Sequence, residues 1–192
     1  MKLNSVKLPH FCGAAEIASV ELPLPKKVII SMSQHGGVPC TPLVKPGDRV
    51  KTGQLIGSSD AVISAPVHSS VTGIVTEITD ILNVFGKWNK AVVIETEYKQ
   101  EMSEEISKPV INSREDFIEA VKKSGSVGLG GAGFPTYVKM NFPKETVVDT
   151  LVVNGAECEP YINSDYRAFM EDGEKIAAGI RKIMDYLDLK QA

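Results

Sequence analysis

The chain has 192 residues, enough for one large domain or two small ones, and 43% of them are hydrophobic and 23% charged, as in ordinary globular proteins. Its net charge of −3, without any block of basic residues, disfavours a partner held through nucleic-acid phosphates. The apolar stretches are too short to cross a bilayer and the N-terminus lacks the pattern of a secretory signal, so no direct membrane insertion is expected.

Short strands separated by turns are predicted between Lys26 and Glu97. The apolar, β-branched stretches predict the strands, and the sequences Pro-Gly-Asp and Thr-Gly-Gln predict tight turns between them. The predicted strands lie at residues 28–30, 49–50, 55–56, 62–63, 73–78 and 91–95. Several short strands at this spacing are typical of a compact all-β sandwich or barrel, which we assign to residues 1–100.

The rhythm of the sequence changes after this β region. Residues 101–112 begin with the acidic stretch EMSEEISK and are predicted to form a surface linker, and residues 113–192 are predicted to be α/β. Ser113 is the expected N-cap of a helix that ends near Gly125. A buried strand is expected at Thr150–Asn154, and helical periodicity runs from Asp165 to Leu187.

The β region resembles the biotinyl/lipoyl barrel-sandwich family in two segments. These are PGDRVKTGQLIG at Pro46–Gly57 and SAPVHSSVTGIV at Ser64–Val75. In that family a lysine on an exposed hairpin turn carries the cofactor, but the matching turn here, Ser58–Ala61, contains no amine. The resemblance therefore implies a structural or docking domain without a swinging arm.

A glycine-rich loop follows the first predicted helix and contains four glycines in the six residues 128–133. Without Cβ atoms the chain can approach a ligand closely, and successive amide groups can form an anion-binding nest. Thr136 adds a hydroxyl donor, and Lys139 adds a positive charge for a phosphate. The spacing matches neither the P-loop nor the Rossmann fingerprint, so an ordinary glycine-rich turn is the alternative. The candidate residues are Gly128, Gly130, Gly131, Ala132, Gly133, Phe134, Thr136 and Lys139.

A second polar segment, NGAECEP at Asn154–Pro160, follows the predicted strand. Ligands of open α/β sheets bind at the carboxyl ends of strands, so Asn154 is a candidate for a flavin ring edge. Glu157 and Glu159 can accept hydrogen bonds from ribityl, ribose or amide groups. A solvated turn is the alternative. For Cys158 an inert role is favoured over a redox role, because no basic residue stands beside it.

The three cysteines, at positions 12, 40 and 158, form no Cys-x-x-Cys pair. Their spacing predicts neither a zinc site nor an iron–sulfur cluster within these residues. An odd, scattered set argues against a disulfide framework and favours a reducing, cytoplasmic location. His35 and His68 are too isolated to suggest metal ligands, and turn or surface roles are expected for them.

The two polar segments together resemble the flavin-binding subunit of respiratory complex I, which reads G-R-G-G-A-G-F-P-T-G…K and N-A-D-E-G-E-P. A barrel sandwich ahead of that fold is the order of the RnfC family, the peripheral subunits of Rnf ferredoxin:NAD⁺ oxidoreductases. The segments LPLPKKVIISMSQHGG and VVNGAECEPYI also resemble RnfC. The resemblance implies an incomplete Rossmann-like FMN-binding domain after the barrel. It also implies that the glycine-rich loop holds the FMN phosphate, that Lys139 and Asn154 contact the flavin, and that Phe134 packs near the nicotinamide. Glu157 and Glu159 would be acids on the flavin and NADH sides.

The function implied by this resemblance is electron transfer between NAD(H), FMN and iron–sulfur clusters, with no residue needed as a general acid or base. The expected partners are other subunits of a membrane electron-transport complex and a ferredoxin-like carrier, on the cytoplasmic face. The 4Fe–4S motifs of RnfC are absent here, so a fragment is expected. Leu129 and Ala156–Cys158 depart from complex I, which weakens the expected NADH contacts. The alternatives are a cofactor-free docking module and an RnfC-like adaptor to a soluble reductase.

Overall fold

The computed structural model describes residues 13–83, 86–129, 131–143 and 145–192. The chain divides into two compact units, which are described one after the other. The barrel unit is Pro23–Thr146, and the helical unit combines Met1–Leu22 with Val147–Ala192.

The described residues of the barrel unit form seven strands in two antiparallel sheets. Sheet order is β1-β7-β6-β3 in the larger sheet and β2-β4-β5 in the smaller one. The strands are β1 Lys27–Ser31, β2 Thr41–Pro42, β3 Arg49–Val50, β4 Leu55–Ser58, β5 Val67–His68, β6 Gly73–Leu82 and β7 Trp88–Thr96.

One apolar core lies within this barrel. Strand β7 lies between β1 and β6, and its residues 91–94 are all buried. Met32, Ile56 and Val75 are fully buried in the same core. Gly73 allows β6 to approach β7 closely, because a Cβ atom there would lie 2.2 Å from the carbonyl oxygen of Glu95. The β-branched and small residues of the sequence thus become the closely packed interior.

Five of the six predicted strands are confirmed as β1, β3, β4, β6 and β7. The predicted strand at residues 62–63 is wrong, because these residues lie in the connection between β4 and β5. Val62 is 87% exposed there, and Ile63 accepts a single loop hydrogen bond from the Val38 amide at 3.0 Å. The two-residue strands β2 and β5 were not predicted, since two residues show no periodicity.

The start of the predicted linker is hydrogen-bonded to the barrel. The Thr52 amide donates to the Glu101 carbonyl at 3.0 Å, and the Ser103 amide donates to the Thr52 carbonyl at 2.9 Å. Arg49 also pairs with the carboxylates of Glu97 and Glu101. These contacts extend the barrel edge as far as residue 103.

Two helices complete the barrel unit, α1 at Arg114–Lys123 and α2 at Thr136–Met140. The predicted N-cap is confirmed, because the Ser113 hydroxyl accepts a hydrogen bond from the Asp116 amide at 3.0 Å. Helix α1 ends before Gly125, which has a φ of 71°. The predicted helix end is therefore also confirmed.

The helical unit contains α3, Ser164–Leu187, which confirms the helix predicted from periodicity. Its backbone is kinked at Asp172. The strand predicted at Thr150–Asn154 is wrong: Thr150 makes one isolated bridge to Gln191, and Val152 is 83% exposed. The described residues of this unit contain no strand that could pair with the segment, so no ladder forms. Across the part of the chain that the structure describes, no helix has both the length and the apolarity to cross a membrane.

Candidate functional site: the glycine-rich loop

The glycine-rich loop is closed at its neck by pairing between the chain entering and leaving it. Val127 and Pro135 form an antiparallel bridge. The Gly128 amide donates to the Phe134 carbonyl at 2.9 Å, and the Thr136 amide donates to the Ser126 carbonyl at 3.0 Å. The loop therefore projects from a short hairpin-like neck between α1 and α2.

The tip of the loop carries amide groups that the fold does not use. Within the described part of the chain, the amides of Gly131 and Ala132 donate to no partner, and both residues are solvent-accessible. A Cβ atom on Gly131 would meet nothing within 4 Å, so the space beside it is open. Gly133 has a φ of 60°, in the left-handed region that glycine adopts without strain. The predicted residue Gly130 lies outside the described residues.

Lys139 on α2 brings positive charge to this loop. Its Nζ atom lies 3.0 Å from the position that a Cβ atom of Gly128 would take. No carboxylate pairs with Lys139 among the residues that the structure describes. Thr136 is half-buried at the start of α2, and Phe134 is 37% exposed. A loop with open amides and an adjacent ammonium group can bind an anion.

The loop packs against the turn Gln34–Gly37 of the same unit, a contact that the sequence did not reveal. The Gly36 amide donates to the Gly133 carbonyl at 2.9 Å. His35 was expected in a turn or on the surface; it lies in this turn but is buried, so the surface role is wrong. Its Nε2 atom lies 3.0 Å from the Val38 carbonyl oxygen and 2.9 Å from Ser64 Oγ. The two adjacent glycines 36 and 37 were the available signal for a close contact.

A cavity of about 210 Å³ lies beside the loop. It is lined by residues of the barrel and of the loop neck, among them Gln34, His35, Pro66, His68, Gly125 and Leu129. Burial lowers the pKa of His68, and the nearby carboxylate of Glu105 opposes this effect. The His68 imidazole is therefore mainly neutral at pH 7.

The second predicted segment belongs to the helical unit and has its own local structure. Asn154 Oδ1 accepts a hydrogen bond from the Ala156 amide at 3.0 Å, which forms an Asx turn. Glu157 Oε1 accepts from the Tyr166 amide at 3.0 Å and so caps the first turn of α3. Glu159 and Cys158 are exposed. The capping role of Glu157 was not predicted, because its partner lies nine residues further along the chain.

The comparisons with known proteins agree with this arrangement. Residues 6–99 match the family model described as the RnfC barrel sandwich hybrid domain, and residues 121–192 match the Nuo51 FMN-binding domain. The chain is thus a two-part protein in which an all-β barrel sandwich precedes a domain of the flavin-subunit type, which confirms the predicted fold class. It belongs to the RnfC family.

Three curated relatives, each the C component of its complex, are similar over most of the chain. The one from the proton-translocating ferredoxin:NAD(+) oxidoreductase complex of Clostridium ljungdahlii is 42% identical over 88% of this chain and 38% of its own length. The one from the Na(+)-translocating ferredoxin:NAD(+) oxidoreductase complex of Acetobacterium woodii is 40% identical over 87% and 40%, respectively. The one from the ion-translocating oxidoreductase complex of Rhodobacter capsulatus is 32% identical over 95% and 36%. The chain spans about two fifths of the length of these relatives.

Proposed function

We propose that this chain is the FMN- and NAD(H)-binding part of an electron-transfer subunit in an Rnf-type complex. The match to the Nuo51 FMN-binding domain and the names of the curated relatives support this proposal. The observation that carries it is the exposed tip of the glycine-rich loop, whose open amides lie in one short segment with Lys139 close to the neck.

The residues of the loop fit a phosphate group. A phosphate monoester carries a charge of about −1.5 to −2 at pH 7 and offers three acceptor oxygens. The amides of Gly131 and Ala132 and the hydroxyl of Thr136 would donate to these oxygens, and Lys139 would balance the charge. When bound, FMN supplies the exchange between hydride transfer and single-electron transfer, whereas the protein binds and orients it.

The other predicted contacts form part of the same proposal. Asn154 would contact the flavin, and Phe134 offers an exposed ring edge to a nicotinamide. Glu157 and Glu159 would be the acids on the flavin and NADH sides, with Glu157 using the oxygen that does not cap α3. Gly130 would join the loop residues that hold the phosphate.

The remaining parts of the proposal concern the whole protein. Residues 1–100 would be the barrel sandwich, residues 101–112 a linker, and residues 113–192 the N-terminal part of the flavin-subunit-like domain. Electrons would pass to 4Fe–4S clusters outside this segment and to a ferredoxin-like carrier. Other subunits of the complex would hold the protein at the cytoplasmic face of the membrane.

Binding of FMN tests the proposal directly. The protein is mixed with FMN and desalted, and its visible spectrum is recorded. We expect retained flavin absorbance for the natural sequence and none for Gly131→Leu, because the new side chain fills the open space beside the amides without touching the fold. Lys139→Met should raise the FMN dissociation constant about tenfold to a hundredfold, as expected for a lost hydrogen bond to a charged group.

Two matched controls keep this test specific. Lys123→Met removes an exposed charge from α1, and Gly179→Ala adds a methyl group where α3 has open space. Neither should change FMN binding. The proposal fails if the natural sequence retains no flavin, an outcome that would favour the docking module, or if Gly131→Leu retains as much flavin as the natural sequence.

A further inference from the structure

We infer that the barrel sandwich acts as a rigid platform that positions the glycine-rich loop, and that Gly36 and Tyr137 are positioning residues for the cofactor phosphate. This inference rests on the proposed function. It goes beyond that function by giving the β region, which lacks the lysine of a carrier domain, a specific role at the binding loop. Three contacts within the barrel unit support it.

The first contact holds the tip of the loop. The Gly36 amide donates to the Gly133 carbonyl at 2.9 Å. A Cβ atom on Gly36 would lie only 2.8 Å from the Ala132 carbonyl oxygen, and one on Gly133 would lie 3.2 Å from the Gln34 carbonyl oxygen. The two backbones therefore touch directly, and the carbonyls of Ala132 and Gly133 both face the barrel turn. This contact leaves the amide of Ala132 without a partner among the described residues.

The second contact holds α2, which carries Lys139. The Tyr137 hydroxyl donates to the Val62 carbonyl at 2.7 Å, and the Tyr137 ring is buried. Val62 lies in the connection between β4 and β5, which corresponds to the cofactor-bearing turn of a carrier domain. Here that connection is held on its other side as well, because Ser64 Oγ donates to the Val38 carbonyl at 3.0 Å. The turn that moves in a carrier protein is fixed in this one.

The third contact holds the start of the loop. A Cβ atom on Gly125 would lie 2.5 Å from the Pro66 carbonyl oxygen and 3.3 Å from His68 Nδ1. The loop is thus held against the barrel at its entry, at its tip and at the helix that follows it. Ordering a loop costs conformational entropy when a ligand binds, and a loop that is already held avoids much of that cost. The platform therefore raises cofactor affinity without contacting the cofactor.

Two variants test the positioning role. Gly36→Ala adds only a steric contact, because the φ angle of Gly36 lies outside the left-handed region. Tyr137→Phe removes only the hydroxyl. We expect Gly36→Ala to raise the FMN dissociation constant about tenfold or more. Tyr137→Phe should raise it about twofold to tenfold, as for one neutral hydrogen bond.

Amide hydrogen exchange gives a second readout that does not depend on FMN. In FMN-free protein, peptides covering residues 126–137 should exchange faster in both variants, while peptides from β6 and β7 should not change. Gly57→Ala is the matched control, because its Cβ atom would press on Met32 Sδ at 2.5 Å inside the barrel core, away from the loop. It should lower the melting temperature but leave FMN affinity and loop exchange unchanged.

The outcomes separate this inference from the proposed function. If the natural sequence binds no FMN but Gly36→Ala still speeds exchange in the loop, the platform stands and the cofactor assignment falls. Unchanged loop exchange in Gly36→Ala overturns the platform, whatever FMN does. Faster loop exchange with unchanged FMN affinity also overturns the positioning role, as does a Gly57→Ala variant that weakens FMN binding as much as Gly36→Ala.

Discussion

Arg114 is the residue whose replacement tests the attachment of α1 to the chain after α2. It is the first residue of α1, and its Nη2 atom donates to the carbonyls of Met140 at 3.2 Å and Phe142 at 2.8 Å. Its guanidinium carbon lies 4.1 Å from the centre of the Phe142 ring. Arg114→Lys keeps the charge but loses the planar group that makes these contacts together.

The expected loss of stability follows from these contacts. Each hydrogen bond from a charged donor contributes about 1.5–3 kcal/mol, and the ring contact adds about 1 kcal/mol. Lysine can keep one hydrogen bond, and the replacement also removes Arg114 Nε, which is buried without a partner. Relief of that unsatisfied group offsets about 1–2 kcal/mol. We therefore expect Arg114→Lys to destabilise the barrel unit by about 2 kcal/mol.

Thermal unfolding followed by circular dichroism measures this change. In a protein of this size, a loss of about 2 kcal/mol should lower the melting temperature by about 4–8 °C. Hydrogen exchange on peptides of α1 should increase with it. Arg181→Lys is the control, because Arg181 is exposed on α3. A melting temperature that falls by less than about 1 °C in Arg114→Lys would refute the assigned contacts.

Two further predictions concern the barrel core and the helical unit. Gly73→Ala should destabilise the barrel by about 3 kcal/mol, since its Cβ atom would lie 2.2 Å from a backbone oxygen; fluorescence of the single tryptophan, Trp88 on β7, during denaturant unfolding measures this, and an unchanged midpoint contradicts it. The hydrogen bond from the Ser19 amide, with the Arg167 guanidinium, lowers the pKa of Glu171 from 4.5 to about 2. Because the pKa is lower in the folded state, the contact stabilises the unit above about pH 4.5 and is lost as the pH falls towards 2. Limited proteolysis with pepsin across this range should detect release of the segment around Ser19, and Glu171→Gln should abolish the pH dependence.

Local features of the fold were predictable because they depend on neighbouring residues. The Ser113 cap and the Gly125 stop act within a few residues, so the ends of α1 follow from the sequence. The long strands β6 and β7 and the helix α3 follow from apolar patterns that repeat over many residues. The residues of the glycine-rich loop were identified in the same way, and their role in binding a cofactor stays a prediction.

Composition, motifs and periodicity were enough to predict the two-part organisation, the family and most helices and strands, because these patterns record local preferences of the backbone. The meeting of distant segments became visible in the folded chain alone. Gly36 and Gly133 touch across nearly one hundred residues of chain, and the Thr150 segment has no strand beside it among the described residues of its unit, despite its apolar sequence. Hydrogen-bond partners and close packing depend on the position of the whole backbone, which no short stretch of residues specifies.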